Sequence, residues 1–148
     1  MKLVLQRVKE ASVSVDGQII GQIGRGILVF LGVERGYTRA DADHFVRKIT
    51  ELRMFEDPSG KMNLSPGDVQ AAFLVVSQFT LLGDCRKGRR PSFDRAAAPQ
   101  TARTLYEYFV EKLRTQRFKV ATGRFQALMD VALVNDGPVT FVLEGHGR

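Results

Sequence analysis

Apolar and polar residues roughly alternate from Leu3 to Val15, the period-two pattern of a strand with one buried face. Asp16-Gly17 breaks the alternation before Gln18-Ile19-Ile20-Gly21-Gln22-Ile23 resumes it, so the two runs predict a β-hairpin. A near-continuous apolar run from Gly26 to Val33, entered through turns at Gly24 and Gly26, predicts a third strand covered on both faces. The period then changes. Ala42, Phe45, Val46, Ile49 and Leu52 fall at helical spacing behind Thr38 and Asp41, which have the order of a capping box with Asp in place of Glu. A helix over 39–53 follows, with Arg39, Asp43, Lys48 and Glu51 on its solvent side.

Met54-Phe55 predicts the start of a short strand. Asp57-Pro58-Ser59-Gly60 and Ser65-Pro66-Gly67-Asp68 are turn chemistry, which leaves Lys61-Met62-Asn63-Leu64 room only for a short extended piece. Phe73-Leu74-Val75-Val76 reads as a buried strand running straight into Ser77-Gln78-Phe79-Thr80. Pro99 suits the first turn of a second helix, whose buried stripe of Ala102, Leu105, Phe109 and Leu113 extends to about Arg114. Phe118 to Thr122, Ala127 to Val134 and Val139 to Leu143 predict further strands, the last two separated by Asn135-Asp136-Gly137-Pro138. With no repeat and no linker, the pattern predicts one domain over 1–148. Its class is α+β, a mostly antiparallel sheet or partly closed β-barrel with two long helices packed on one side.

Composition narrows the class without changing it. At 148 residues, 44% apolar and 26% charged, the chain is neither disordered nor fibrous. Runs such as Ile27–Leu31 fall far short of the roughly 20 residues that span a bilayer, and Met1–Leu5 soon meets Arg7 and Lys9. Neither a membrane helix nor a signal peptide is expected. A single cysteine, Cys85, excludes an internal disulfide, and with only two histidines no zinc-ligand spacing arises, so a reducing cytoplasmic setting without metal is expected. Twenty-two Lys and Arg against sixteen Asp and Glu, a net charge of +6, favour polyanionic partners. Gly21-Gln22-Ile23-Gly24-Arg25-Gly26 lacks the order of a phosphate-binding glycine loop.

Candidate chemistry concentrates in three places. Ser77, Gln78 and Thr80 stand at the end of a strand, where they either present hydroxyls and backbone N–H groups to a pocket or simply cap neighbouring backbone. A nucleophilic Ser or Thr needs a base, yet His44 lies within the first helix and His146 in a Gly-rich tail, both reading as solvated or packed side chains. Cys85 beside Arg86 and Lys87 lacks a histidine partner and reads as an incidental thiol. Gly137-Pro138 is either an ordinary turn or a cis peptide. Arg86, Lys87, Arg89 and Arg90 form either a solvated loop or a phosphate contact; Gly88 adds flexibility and Phe93 a stacking ring, which suits single-stranded RNA ends.

Taken together, Ser77-Gln78-Phe79-Thr80-Leu81, Gly83-Asp84-x-Arg86-Lys87-Gly88-Arg89-Arg90-Pro91-Ser92-Phe93 and Asn135-Asp136-Gly137-Pro138-Val139-Thr140 resemble the D-aminoacyl-tRNA deacylases. Gln6-Arg7-Val8, Phe55-Glu56-Asp57, Lys61-Met62-Asn63-Leu64 and Thr122-Gly123-Arg124-Phe125 carry the resemblance nearly end to end. It implies a cytoplasmic homodimer that hydrolyses the ester between a D-amino acid and the terminal adenosine of tRNA, and that also removes glycine from alanine tRNA. No metal, organic cofactor, membrane or DNA is implied. By the same resemblance Ser77, Gln78, Phe79 and Thr80 line the ester pocket, with N–H groups near Phe79 stabilising an oxyanion. Phe125 lies against the terminal adenine, Met129 against the substrate, and Arg7 braces a cross-subunit loop. Gly137 and Pro138 form a cis peptide that enters the partner's pocket and rejects L-substrates. Leu82 and the tail Gly145-His146-Gly147-Arg148 depart from the family pattern. An aminoacyl ester is already activated, so the missing Ser-His or Cys-His pair is intelligible if the ribose 2′-hydroxyl assists. A non-catalytic module that binds the tRNA 3′ end is the alternative reading. A general esterase is weaker, because no Gly-x-Ser-x-Gly elbow is present.

Overall fold

One long strand organises the sheet. In a computed structural model that describes residues 1–146, β1 (Lys2–Val15) uses the same edge twice. It pairs antiparallel with β3 (Gly26–Gly32) along Lys2–Val8, then with β2 (Gln18–Ile23) along Ala11–Val15. Its other edge carries β8 (Asp130–Glu144), antiparallel from Lys2 to Ser14. From β3 the sheet continues through β6 (Ala72–Ser77) to β7 (Val120–Thr122), both added in parallel. Parallel neighbours require long crossovers. The first consists of α1 (Arg39–Glu51) and a small hairpin of β4 (Phe55–Glu56) and β5 (Met62–Leu64); the second contains α2 (Pro99–Thr115). The fold is therefore α+β with a mostly antiparallel, nearly closed mixed sheet, and the two helices pack against each other.

Closure depends on bare backbone. A Cβ on Gly21 of β2 would overlap the Thr122 carbonyl of β7, and one on Gly26 would overlap the Ala72 carbonyl of β6. Glycine at both positions lets the strands approach without a side chain between them. The curled sheet then has two apolar faces, which explains the uninterrupted hydrophobic runs of β3 and β6. Ile27, Val29, Leu31, Phe73 and Val75 face the helices and meet Phe45, Ile49, Phe109 and Leu113. Leu28, Leu74 and Val76 turn the other way, towards Val8, Val13 and Ile23. Each such side chain, fully buried, contributes about 1.5–3 kcal/mol.

Both helices form where the periodicity places them. The Asp41 carboxylate accepts the Thr38 N–H at 2.8 Å and the Thr38 hydroxyl at 3.1 Å, so the capping box is built. The first helix ends at Glu51 rather than 53 because Leu52 is already extended, φ −65° and ψ 124°. The strand read over Phe73–Val76 extends one residue further at each end, and two other strand expectations are corrected. Past Ser77 the Gln78 N–H still donates to the Leu31 carbonyl, but the Leu81 N–H folds back onto the Gln78 carbonyl, and Phe79–Leu82 forms a 3-10 turn. The strand expected from Ala127 starts only at Asp130, since the Ala127 N–H closes a turn onto Arg124. Finally, Asn135-Asp136-Gly137-Pro138 does not separate two strands. Gln6 faces Thr140 and Val8 faces Asn135, so residues 136–139 bulge out of one continuous β8 opposite Arg7.

The glycine contacts yield a stability test. Gly26→Ala introduces a methyl against the Ala72 carbonyl, an overpacking cost of about 1–3 kcal/mol, which lowers the melting temperature by roughly 3–10 °C. Gly24→Ala, with open space around it, shifts the midpoint by no more than about 2 °C. Thermal denaturation that found the two variants alike would contradict closure by backbone contact.

Candidate functional site

A cleft of about 850 Å³ opens at the carboxyl ends of the parallel strands β3 and β6. Val33 and Ser77-Gln78-Phe79 form its floor, residues 96–99 and Ala102 at the start of α2 one side, and Phe125, Gln126, Ala127 and Met129 another. Its volume suits a small organic ligand. Arg35 is the single charged residue of the lining, and its Nε already donates to the Ala96 carbonyl at 3.3 Å. Among the lining residues there is no His, Cys, Asp, Glu, Lys or Tyr, and Ser77 carries the single hydroxyl. A nucleophile paired with a base is thus not what this cleft presents.

It presents backbone donors. The Phe79 and Thr80 N–H groups open the 3-10 turn and have no acceptor among the described residues. Such orphan donors beside an apolar wall are suited to hold a developing oxyanion. The Thr80 hydroxyl donates to the Gln78 Oε1 at 2.7 Å and fixes that side chain. The Thr80 side chain is exposed and lies outside the cleft lining, which it touches through Gln78. Phe79 is 57% exposed and meets Phe93 edge-on, ring centroids 5.0 Å apart, which makes an aromatic rim. Tyr106 reaches from α2 to donate to the Val75 carbonyl at 2.8 Å, and its ring lies 6.1 Å from Phe125. One buried phenol thereby ties the helix, the strand end and the Phe125 wall together.

The predicted site residues divide into two groups. Ser77, Gln78, Phe79, Phe125 and Met129 come together in the cleft. Arg7, Gly137 and Pro138 do not: they meet on the bulge of β8, where Gly137 and Pro138 are exposed. The Gly137-Pro138 peptide is cis. Arg7, only 3% exposed, donates through Nε to the Asp136 carbonyl at 2.9 Å and through Nη1 to the Met54 carbonyl at 2.8 Å. It also ion-pairs with Glu56 and Asp136 at 3.7 and 3.6 Å. Asn135 closes the bulge, its Oδ1 accepting the Val139 N–H at 2.7 Å and its Nδ2 donating to the Val139 carbonyl at 3.2 Å. Gly137 sits at φ +140°, and a Cβ there would collide with Val139 and crowd the Arg7 guanidinium.

Sequence reasoning missed Asn135 as the brace, although an Asn opening Asn-Asp-Gly-Pro is a recognisable local acceptor. It also missed Arg35, Gln126 and residues 96–98, the last of which form an alanine run with no chemical signal. His44 packs edge-on against Phe45, and His146 stacks on Tyr37 at 4.5 Å; neither reaches the cleft. Cys85 is exposed on the basic loop. Of the tail, Gly147 and Arg148 lie outside the described residues. Among the described residues no three His, Cys, Asp or Glu side chains cluster as a metal site requires, and no helix is long and apolar enough to cross a membrane.

A nearly closed barrel with a helix pair on one flank is a fold shared with a solved structure described as "a probable eukaryotic D-amino acid tRNA deacylase". The match has a TM-score of 0.84 and 20% identity, over 96% of this chain and 97% of that one. The model of the D-Tyr-tRNA(Tyr) deacylase family matches residues 4–144, and the chain belongs to that family. It is 59% identical over 146 residues to the D-aminoacyl-tRNA deacylase of Syntrophotalea carbinolica, covering 99% of this chain and 98% of the relative. A structure of the c-Myc DNA Unwinding Element Binding Protein superposes with a TM-score of 0.91 at 46% identity, over 98% of this chain and 99% of that one.

Burial pushes the Tyr106 phenol up to about 12 from 10.0. An acid whose folded pKa is raised contributes stability that is intact below the unfolded value and lost as pH rises through the window between the two. Tyr106→Phe removes one buried hydrogen bond and costs about 1–2 kcal/mol at neutral pH. Between pH 10 and 12 the gap between wild type and Tyr106→Phe narrows, because only the wild type loses this contribution. Urea denaturation at pH 7 and 11 measures it; a constant gap would place Tyr106 outside this linkage.

Proposed function

We propose that this chain hydrolyses the ester that joins a D-amino acid, or glycine, to the terminal adenosine of tRNA, releasing the free amino acid and tRNA. The observation that carries the reading is a largely apolar cleft that offers unpaired backbone N–H donors and no nucleophile-base pair. That is the equipment an already activated ester needs. Water attacks the acyl carbon, the bond from that carbon to the ribose oxygen breaks, and the ribose oxygen takes up a proton. The Phe79 and Thr80 N–H groups hold the carbonyl oxygen as it gains charge, and the ribose 2′-hydroxyl organises the attacking water. Phe125 lies against the terminal adenine and Met129 against the aminoacyl group.

Handedness is set by exclusion. In the proposed homodimer the exposed Gly137-Pro138 bulge enters the partner's cleft, where its rigid wall leaves room on one side of the substrate Cα for hydrogen alone. D-substrates and glycine fit, and L-substrates clash. Arg7 and Asn135 keep that wall stiff by holding Asp136 and Val139. A soluble cytoplasmic setting, without membrane, metal or organic cofactor, accords with such an enzyme.

Hydrolysis of matched D-, L- and glycyl-tRNA tests the proposal. The D- and glycyl esters are cleaved, and the L-ester at least about a thousandfold more slowly, a difference of about 4 kcal/mol. Replacing the 2′-hydroxyl of the terminal adenosine by hydrogen abolishes turnover. Arg7→Lys, whose point charge cannot fork to two carbonyls, lowers the D-to-L preference at least about tenfold. Binding of uncharged tRNA without ester cleavage would instead identify a 3′-end-binding module. Since one structural relative carries the name of a DNA-element binder, competition with DNA of the same sequence is the control, and equal competition by DNA and RNA would count against a tRNA substrate.

A further inference from the structure

The loop between Asp84 and Ser92 is the strongest feature that the proposed chemistry leaves unused. Its base is stapled by two backbone hydrogen bonds, from the Asp84 N–H to the Ser92 carbonyl at 2.7 Å and from the Ser92 N–H to the Asp84 carbonyl at 2.9 Å. The next residue, Phe93, belongs to the cleft wall and meets Phe79. The loop is therefore mounted on the mouth of the cleft. Residues 85–91 are all exposed, and Gly88 turns the tip at φ +66° with open space around it.

Its cations are not equivalent. Arg86 is spoken for, its guanidinium held by both Asp84 oxygens at 2.9 and 2.7 Å, and its backbone N–H donates to the Asp84 Oδ1 at 3.0 Å. That pair stiffens the loop. Lys87, Arg89 and Arg90 have no acidic partner among the described residues. Other arginines near the cleft are already engaged: Arg35 with the Ala96 carbonyl, Arg95 with Glu34 at 3.1 Å, and Arg103 with Glu107 at 3.0 Å. The Ala96 carbonyl leaves the Arg35 charge uncompensated and Arg124, beside Phe125, has no acidic partner among the described residues, so the braced loop adds three cations to an already positive cleft mouth.

We infer that Lys87, Arg89 and Arg90 bind the phosphates of the single-stranded RNA that leads into the cleft, with the Asp84–Arg86 pair acting as their strut. This rests on the reading that the cleft takes the terminal aminoacyl-adenosine. The contact is to backbone charge, so it adds affinity for any such strand and reads no base.

The triple variant Lys87→Ala/Arg89→Ala/Arg90→Ala is assayed on D-aminoacyl-tRNA and on D-aminoacyl-adenosine, which carries no phosphate. On tRNA, KM rises at least about tenfold near 0.1 M salt, and the slope of log affinity against log salt falls by about 2, at about 0.7 for each phosphate of a single strand. On D-aminoacyl-adenosine, turnover stays within about twofold of wild type. Returning Lys at positions 89 and 90 restores most of the affinity, because a phosphate accepts a point charge. An unchanged KM on tRNA, or equal losses on both substrates, would overturn the inference. If the wild type cleaves neither ester, the deacylase reading fails by itself, and filter binding of uncharged tRNA decides the loop: equal affinity of variant and wild type sinks it.

Discussion

The buried guanidinium of Arg7 is the interaction on which the rest of the structure turns. Taking an unpaired cation out of water costs several kcal/mol, so its position demands compensation from every side. Two backbone carbonyls and two carboxylates supply it, drawn from the segment before β4, from β4 itself and from the β8 bulge. Because those acceptors come from three parts of the chain, Arg7 registers β1 against elements that do not otherwise fix each other. The Met54 carbonyl lies between α1 and β4, so the first crossover is held midway, where its helix gives way to its hairpin. The Asp136 carbonyl lies in the bulge, so residues 136–139 cannot relax into a flat strand. Replacing Arg7 by an apolar side chain would strand both carbonyls, and the bulge would lose its register before the barrel lost its core.

The cleft follows an opposite rule. Where Arg7 gathers carboxylates, the cleft holds none, and Arg35 is the single charged residue of its lining. Beside a largely apolar wall the two N–H donors of the Phe79 turn have no acceptor among the described residues, so both remain available to an oxygen brought into the cleft. The turn exists because Gln78 stays hydrogen-bonded to Leu31 while Leu81 folds back on Gln78, and this stops β6 one residue after its apolar run. Strand geometry alone would have spent those donors on a neighbouring strand. The Thr80–Gln78 contact and the Tyr106–Val75 contact then hold the turn from two sides, without placing an ionisable group in the cavity.

The parts of the fold that depend on local pattern were readable in the chain. The Asp16-Gly17 hairpin, the Thr38–Asp41 box and the Pro99 helix start each involve residues within a few positions of one another. What escaped depends on distant partners. Asn135-Asp136-Gly137-Pro138 has the composition of a turn between two strands, and nothing local reveals that Arg7, 129 positions away, pins it to β1. Ser77 to Thr80 looks extended because its neighbours are. Thr80 reads as a pocket residue until the Gln78 side chain is seen to take its hydroxyl. The site residues were legible as types, whereas their division between cleft and bulge was not.

That division has a consequence for assembly. A single chain holds a cleft and a braced bulge, yet its own bulge stands away from its own cleft, with Gly137 and Pro138 facing solvent. Among the described residues β8 pairs with β1 alone, so its outer edge, with Val134 and Val142 exposed, is an open template for another chain. In the proposed homodimer a two-fold arrangement covers both edges at once and delivers each bulge to the other's cleft, because an isologous contact is reciprocal. Exclusion makes a stricter demand on this bulge than attraction would. A wall that moves by an ångström still binds, but it no longer rejects. The dense bracing of residues 135–139, with the Asn135 amide on one flank and the Arg7 guanidinium on the other, is what a discriminating surface requires and what a merely adhesive one would not.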